Sequence, residues 1–158
     1  MCFMRVITGS ARGRRLETLE GEDVRPTTDR IKEAVFSIIQ FETEGRNFLD
    51  LFAGSGQMGI KAVKLENSAK VFAMDFHSFL SMNSQRFDIA FLDPPYRTGM
   101  LQDALELVVD AMNDTGVIIA ENPLDEEILS NYGDFVLDRQ YRYGKIKITT
   151  FRHKDFQR

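Results

Sequence analysis

The stretch with the most chemical content is Asp93-Pro94-Pro95-Tyr96, which follows the apolar run Ile89–Leu92. The continuous apolar run predicts a strand buried on both faces within a parallel sheet. The strand must end at Asp93, because Pro94 lacks the N–H needed for the ladder and restricts the preceding residue to extended conformations. Two prolines then hold a stiff segment that presents a carboxylate, two carbonyl oxygens and an aromatic ring.

The segment Asp93–Tyr96, called the tip below, suits a nucleobase with an exocyclic amine. The Asp93 carboxylate and the carbonyls of Pro94 and Pro95 can accept hydrogen bonds from the amine, while the base stacks on Tyr96. The alternative is that Pro94 and Pro95 only end a strand and that Tyr96 packs on the next helix.

A second candidate site is the glycine-rich turn after the strand Phe48–Phe52. Gly54, Gly56 and Gly59 form a G-x-G-x-x-G pattern between that strand and a predicted helix, Ile60–Leu65. Glycines allow a ligand to approach the backbone closely, and the new helix offers free N–H groups. The Asp50 carboxylate lies at the strand end, where it can accept from a ligand's ammonium group or hold the loop. A tight turn with no ligand is the alternative.

The first sixteen residues are basic. They hold four arginines, including Arg12, Arg14 and Arg15, and no acid. We predict two short strands around a glycine-bearing turn, with these arginines at the tip as a phosphate contact; a solvated loop is the alternative. The segment Arg25–Asp29 then predicts a helix start, followed by a core-facing stripe at helical spacing, made of Ile31, Ala34, Val35, Ile38 and Ile39.

The remaining pattern predicts an α/β protein. We expect an apolar strand at Val71–Met74, an amphipathic helix from Leu101 to Met112, a buried strand at Val117–Ala120, a short helix from Asn122-Pro123 to Gly133, and a C-terminal hairpin over Phe135–Arg152. Parallel strand–helix units closed by a hairpin predict a doubly wound, mostly parallel sheet with an antiparallel edge.

Composition limits the class of protein. A length of 158 residues predicts one core, and the net charge of −4 means that any contact with nucleic acid must be local. Cys2 is the only cysteine and there are two histidines, so we expect neither disulfides nor a metal. No apolar run is long enough to span a membrane. We therefore expect a cytoplasmic protein, and a monomer.

Three motifs together resemble one family. Arg25-Pro26-Thr27-Thr28-Asp29-Arg30, Asp50-Leu51-Phe52-Ala53-Gly54-Ser55-Gly56 and Asp93-Pro94-Pro95-Tyr96 are similar to the RsmD family of S-adenosylmethionine-dependent methyltransferases. That family modifies a guanine N2 of small-subunit ribosomal RNA, and the resemblance runs from about Met4 to Arg152. It implies a class I, Rossmann-like methyltransferase core at 46–158, preceded by a basic hairpin and helix extension at 1–45.

The resemblance also implies roles for particular residues. Gly54, Ser55 and Gly56 would line the methionine and ribose part of the cofactor, with Asp50 nearby. Asp75 would be the acid at the end of the third strand that binds the adenine amine. The catalytic tip would be formed by Asp93, Pro94 and Tyr96, and the substrate RNA would be contacted by Arg12, Arg14, Arg15 and Arg25.

Other functions remain open at this point. The same tip would suit an adenine-N6 methyltransferase of DNA or other RNA, and an inactive RNA-binding relative would keep the fold. A dinucleotide oxidoreductase would explain the glycine pattern but not Asp93–Tyr96.

The chain departs from the family between the glycine loop and the central strand. Two more strand–helix units are expected there, yet only residues 66–86 are available, so the second strand and its helix are missing near 67–74. Residues 67–71 look like the start of that strand and Phe72–Asp75 like the end of the third, which implies about thirty absent residues. Either a disordered stretch is omitted, or the protein is truncated and its cofactor site is crippled. If a stretch were omitted, the Cα spacing between Asn67 and Met74 would exceed the roughly 3.8 Å of a trans peptide. Alternatively, Val71–Asp75 is itself the second strand and Asp75 the acid that binds ribose.

Overall fold

The computed structural model of the chain describes residues 4–5, 15–16, 29–40, 45–54, 58, 70 and 72–156. Its helices are α1 (Asp29–Ile39), α2 (Phe76–Met82) and α3 (Met100–Val108), and a 3₁₀ turn at Val109–Ala111 continues the last of these. Its strands are β1 (Met4–Arg5), β2 (Arg15–Leu16), β3 (Phe48–Asp50), β4 (Phe87–Leu92), β5 (Met112–Pro123), β6 (Asn131–Tyr132), β7 (Phe135–Tyr143) and β8 (Ile146–His153).

Strands β3 to β8 form one mixed sheet in the order β3-β4-β5-β8-β7-β6. β3, β4 and β5 are parallel, whereas β8 returns antiparallel beside β5 and is followed outward by antiparallel β7 and β6. The predicted α/β class, with parallel strands closed by an antiparallel C-terminal hairpin, is confirmed. β4 lies between two parallel neighbours, as its continuous apolar run predicted.

Both faces of the sheet are covered by apolar side chains. Because side chains alternate along a strand, Ala90 and Leu92 of β4 pack with α3 on one face, while Ile89 and Phe91 belong to a cluster with α1 on the other. The predicted stripe of α1 makes that second contact, with Ile31, Val35 and Ile39 buried and Ala34 and Ile38 half-buried. β4 is thereby held on both sides, directly before the Asp93–Tyr96 tip.

The amino ends of the parallel strands are joined by polar contacts. The carboxylate of Asp88 accepts from the Asn47 backbone N–H at 2.9 Å and from the Asn113 side-chain amide at 2.8 Å. At the same end, a Cβ on Gly116 would lie 2.8 Å from the Asn113 carbonyl oxygen and 2.9 Å from the Asp88 carbonyl oxygen. The backbone therefore approaches itself too closely at Gly116 for a larger residue.

The basic N-terminal segment contains the predicted pair of short strands, because β1 and β2 pair antiparallel with Met4 opposite Leu16 and Arg5 opposite Arg15. The predicted helix after Arg25–Asp29 is α1, which begins at Asp29.

The predicted helix from Asn122-Pro123 to Gly133 is wrong. Both residues end β5, and residues 124–130 are turns and irregular segments before β6. A proline is tolerated there because β4 pairs with β5 only up to Ala120, which leaves Pro123 with a single neighbouring strand, β8. The Asn122 amide does not cap a helix but donates to the carbonyl oxygens of Pro123 and Glu126.

The predicted strand before Asp75 is also wrong where the structure describes it, because residues 72–75 lie outside any strand. Phe72 and Met74 are 55% and 45% exposed, and the Phe72 ring packs on Phe79 of α2 with 5.3 Å between centroids. The alternative in which Val71–Asp75 is the second strand fails for the same reason. Other parts of the prediction lie outside the described residues: the helix at Ile60–Leu65, residues 67–69 and Val71. The Cα spacing across this segment lies outside them as well.

One further boundary differs. α2 begins directly after Asp75, but the helix expected to reach Met112 ends at Val108. Met112 is the first residue of β5, where it is opposite Phe87 of β4.

Candidate active site

Acidic side chains lie at the carboxyl edge of the parallel strands β3, β4 and β5. Leu92 is opposite Ala120, so the next residues, Asp93 and Glu121, lie at the same level. Asp50, the last residue of β3, is opposite Phe91 on the other side of β4. Ligands in open α/β sheets bind outside this edge of the strands.

The Asp93–Tyr96 tip has the mixed exposure of a binding edge. Asp93 and Tyr96 are half-buried, Pro94 is buried and Pro95 is exposed. The Pro95 carbonyl was predicted to be free to accept from the amine. It instead accepts the hydroxyl of Thr98 at 2.7 Å. The Pro94 carbonyl has no protein donor among the described residues, and its role as an acceptor for the amine stays a prediction.

The residues after the tip hold it in place. Arg97 has a left-handed backbone with φ of 59°, a conformation that costs free energy in a non-glycine residue. Its backbone N–H donates to Glu126 at 3.3 Å and its guanidinium to Asp125 at 2.7 Å. These two contacts connect the tip to the loop that follows β5, and the Asp125 contact raises the pKa of Arg97.

Glu121 is a site residue that the sequence reasoning missed. It is only 2% exposed, and one of its oxygens, Oε1, accepts the Tyr96 hydroxyl at 2.7 Å. Burial and the nearby Asp93 raise the pKa of Glu121 to about 7, against the opposing effects of the Tyr96 hydrogen bond and of Lys32. Lys32 reaches the cluster from α1 and is itself buried. One signal was available, because Glu121 follows the apolar run 117–120 just as Asp93 follows 89–92.

The predicted cofactor residues are only partly described. Asp50 is half-buried at the end of β3. Gly54 has φ of +51°, and a Cβ at this position would meet only the Phe52 carbonyl oxygen among the described residues, at 3.9 Å. The backbone after β3 therefore makes a left-handed turn beside which the described residues leave space, and this fits the close approach of a ligand. Ser55 and Gly56 lie outside the described residues.

Asp75 is not at a strand end. Its carboxylate caps α2, accepting from the Ser78 backbone N–H at 2.9 Å and from the Ser78 hydroxyl at 2.7 Å, and these contacts lower the pKa of Asp75. The side chain is exposed, so it remains accessible to a ligand while it caps the helix.

Little of the predicted RNA contact can be described. Arg15 lies in β2, whereas Arg12, Arg14 and Arg25 lie outside the described residues. Within the part of the chain that is described, no three potential metal ligands cluster. No helix there is both long and apolar enough to cross a membrane.

Parallel strands, helices on both faces and an acceptor-rich tip at the carboxyl edge define a class I methyltransferase fold. Two solved structures share it. The Escherichia coli protein titled "Putative methyltransferase yhhF" has a TM-score of 0.81 and 24% identity, over 96% of this chain and 98% of that one. A Thermus thermophilus 16S rRNA N2 G1207 methyltransferase, RsmC, solved with AdoMet and guanosine, has a TM-score of 0.60 and 15% identity, over 96% of this chain and 50% of that one.

Sequence comparisons identify the family. The family described as "Conserved hypothetical protein 95" matches residues 4–64 and 59–152. A Bacillus subtilis protein named "Putative rRNA methyltransferase YlbH" is 32% identical, over 96% of this chain and all of the relative. The ribosomal RNA small subunit methyltransferase D of Escherichia coli is 26% identical, over 96% of this chain and 90% of the relative. The chain belongs to this family, the one that its motifs resemble.

The alignments also show a difference in length. Since 96% of 158 residues is about 152, the 183 positions aligned with the Bacillus subtilis relative include about thirty at which this chain has no residue. The two segments that match the family overlap at 59–64, beginning at the last glycine of the glycine-rich turn.

Proposed function

We propose that this protein transfers a methyl group from S-adenosylmethionine to the exocyclic N2 amine of a guanine in small-subunit ribosomal RNA. The observation that carries the proposal is the acceptor edge formed by Asp93 and the Pro94 carbonyl, with the Tyr96 ring beside it. Membership of a family whose relatives are named as ribosomal RNA methyltransferases supports the choice of substrate.

The tip residues act on the amine. The lone pair of an exocyclic amine is spread into the ring, so the nitrogen is a poor nucleophile. The Asp93 carboxylate and the Pro94 carbonyl accept its two hydrogens and favour a pyramidal nitrogen whose lone pair is available. Tyr96 holds the base by stacking, which is worth about 1–3 kcal/mol per base. Positioning of the two reactants then provides much of the rate acceleration.

The cofactor is assigned to the adjacent turn. Gly54, Ser55 and Gly56 hold its methionine and ribose part with Asp50, and Asp75 accepts from its adenine amine. The left-handed backbone at Gly54 and the half-buried carboxylate of Asp50 support this assignment. When bound, S-adenosylmethionine supplies a methyl group on a positively charged sulfur.

The remaining assignments follow from the proposed substrate. Arg12, Arg14, Arg15 and Arg25 contact RNA phosphates from the 1–45 extension, while 46–158 forms the catalytic core. The partner is ribosomal RNA or the small ribosomal subunit, met in the cytoplasm by a monomer. A base within a duplex cannot reach the tip, so the target guanine is unpaired or flipped out. The core lacks the second strand and its helix, an assignment that the difference in length from the Bacillus subtilis relative supports.

Methylation of small-subunit ribosomal RNA in vitro tests the proposal. The purified protein is incubated with S-adenosylmethionine and RNA from a strain that lacks its own enzyme, and the nucleosides are analysed by mass spectrometry. We expect N2-methylguanosine. N6-methyladenosine would instead support the adenine methyltransferase. Cofactor and RNA binding without any methylated nucleoside would identify an inactive relative.

A further inference from the structure

Glu121 is a buried acid to which the reaction described above gives no role. Its Oε1 atom accepts the Tyr96 hydroxyl at 2.7 Å, and its Oε2 atom has no hydrogen-bond partner within the described part of the chain. A buried carboxylate with one unbonded oxygen is costly for folding, so its place beside the tip calls for a functional explanation.

We propose that Glu121 is a positioning residue for the methylation: its carboxylate fixes the Tyr96 ring at the carboxyl edge of the sheet and places a second negative charge beside Asp93. The inference rests on the proposed function, because it gives Glu121 a role in transfer to an amine.

The first part of the role concerns the Tyr96 ring. Tyr96 is half-buried and follows two prolines, and its hydroxyl donates across the edge of the sheet to the end of the neighbouring strand β5. A bond to a carboxylate is stronger than one between neutral groups. The ring is therefore held at both ends, by the stiff backbone of the tip and by Glu121, in the orientation in which a base stacks on it.

The second part concerns charge. In the proposed transfer, the amine nitrogen forms a bond to the methyl carbon while the carbon–sulfur bond breaks and its electron pair stays on sulfur. The nitrogen becomes positive and then releases one proton, which Asp93 accepts. Fixed negative charge near the nitrogen favours this step, because the charge is in place before the reaction begins. Glu121 lies level with Asp93 on the next strand and adds to that charge when ionised.

The surroundings of Glu121 make its charge adjustable near neutral pH. Burial and Asp93 raise its pKa to about 7, while Tyr96 and Lys32 act in the opposite direction. On the other side of β5, the residue opposite Glu121 is Ile148 of β8, which carries no charge. The ionised form thus predominates only above about pH 7, so the proposal predicts activity that rises through this range.

An NMR titration tests the cluster without RNA or cofactor. The carboxyl carbon of Glu121 is followed in the full-length, ¹³C-labelled protein. We expect a midpoint near 7 that rises in Tyr96→Phe, which removes the hydrogen bond, and falls in Asp93→Asn, which removes the like charge. A midpoint in the ordinary range of a glutamate, unmoved by either substitution, would overturn the proposal. Because no methyl transfer is measured, this result stands even if the protein does not act on RNA.

Kinetics on small-subunit ribosomal RNA then test the role. Glu121→Gln keeps an oxygen for the Tyr96 hydroxyl but removes the charge, so we expect KM for RNA to stay within about twofold and kcat to fall by about tenfold, less than the loss of a directly bonded donor costs. The rise of kcat with pH through about 7 should also disappear. Glu121→Ala should lower kcat and also raise KM. In the double variant, adding Tyr96→Phe to Glu121→Ala should raise KM no further.

The matched control is Thr149→Val, which alters a buried polar residue on β8 without touching the tip and should leave both constants unchanged. A Glu121→Gln variant with wild-type kcat at every pH would refute the role of charge. If the double variant raised KM by the product of the two single effects, the role of Glu121 in holding Tyr96 would be refuted.

Discussion

At the scale of single residues, the candidate site is a small group of acceptors in which two carboxylates share a partly buried edge. Asp93 is half-buried, whereas Glu121 is almost fully buried and accepts the Tyr96 hydroxyl. This difference in burial matches the proposed roles, in which Asp93 contacts the substrate and Glu121 supports it.

The Asp93→Ala variant tests the contact with substrate. Because the proposal places Asp93 on the amine rather than on the cofactor, we expect methyl transfer to fall about a hundredfold or more. Cofactor affinity, measured by calorimetry, should be nearly unchanged. Asp103→Ala, which removes an exposed carboxylate from α3, is the control and should have no effect. Near-normal turnover in Asp93→Ala would exclude Asp93 from the reaction.

Glu121 also makes stability depend on pH. The pKa of this acid is about 7 in the folded protein and near its ordinary value of 4.5 in the unfolded chain. Below 4.5 the group is protonated in both states and costs nothing. Between about pH 4.5 and 7 the unfolded chain binds fewer protons than the folded protein, so stability falls as the pH rises through this window, and the loss is complete above about pH 7. For a shift of this size, the loss is about 3 kcal/mol.

Glu121→Gln should abolish that loss. We expect the variant to match the wild type at pH 4.5 and to exceed it in free energy of unfolding at pH 8, by about 1–3 kcal/mol. Urea denaturation at a series of pH values measures the difference. A difference that does not vary with pH would mean that Glu121 ionises normally in the folded protein.

At the scale of elements, the sheet is anchored at one end and carries the site at the other. Asp88 joins the parallel strands at their amino ends, and the close backbone approach at Gly116 lies there too. The carboxyl ends are left for the tip and the glycine turn. The close backbone contacts and the proposed site therefore lie at opposite ends of the same strands.

Gly116→Ala tests the anchored end. Its Cβ would meet two backbone oxygens at 2.8 and 2.9 Å, and backbone cannot move aside as a flexible side chain can. We expect a loss of about 1–3 kcal/mol in the free energy of unfolding, measured by urea denaturation. Cofactor affinity of the folded fraction should not change. The control is Thr115→Ala, at an exposed neighbouring position in β5. Gly45→Ala is unsuitable, because a φ of +71° would itself strain an alanine. Unaltered stability in Gly116→Ala would mean that the strand can shift without cost.

Gly56→Val tests the other end. The valine side chain fills space that the proposal assigns to the cofactor, so cofactor binding should be lost while the far-ultraviolet circular dichroism spectrum is kept. Calorimetry with S-adenosylmethionine makes the measurement, with Thr115→Val as the control. Unimpaired binding would show that the glycines form only a turn.

Elements specified by local pattern were predictable from sequence. β4 was predicted from its continuous apolar run and α1 from its apolar residues at helical spacing. The β7–β8 hairpin was predicted from the alternation of apolar and polar residues on either side of Tyr143-Gly144. The tip was predictable because two prolines constrain their own neighbourhood. Asn122-Pro123 was misread because the same pair can start a helix or end a strand, and only the pairing of β5 with β8 decides between them.

Glu121 could not be assigned from sequence for a different reason. Its role depends on Tyr96, Asp93 and Lys32, which come from a different loop and a distant helix. Nothing local to residue 121 specifies those neighbours. Phe72–Asp75 failed in a related way, since an apolar run becomes a strand only when another strand lies beside it.

At the scale of the whole molecule, charge is distributed unevenly. The chain has a net charge of −4, yet its first sixteen residues carry arginines and no acid. A protein of this charge is repelled by RNA at long range, so binding must come from local contacts that release counterions from the phosphates. The basic extension before the core is the segment with the required composition, and β1 and β2 give part of it a defined pairing.

Replacing Arg12, Arg14 and Arg15 together with alanine tests that inference. The variant should bind small-subunit ribosomal RNA more weakly, and the slope of log K against log salt should become shallower by about two, since each lost phosphate contact removes roughly 0.7–0.9. Cofactor affinity should not change, because these residues precede the glycine turn by about forty positions.

The control for that variant must remove the same charge elsewhere. Arg139, Arg142 and Lys145 lie exposed on the C-terminal hairpin and its turn, so their triple alanine variant has the same net charge. If a lower net charge alone weakened binding, both variants would show equal slopes. A shallower slope only in the N-terminal variant would assign the phosphate contacts to the extension, whereas an unchanged slope there would leave the arginines as a solvated loop. Filter binding at four salt concentrations, with both variants and the wild type on one RNA preparation, separates these outcomes.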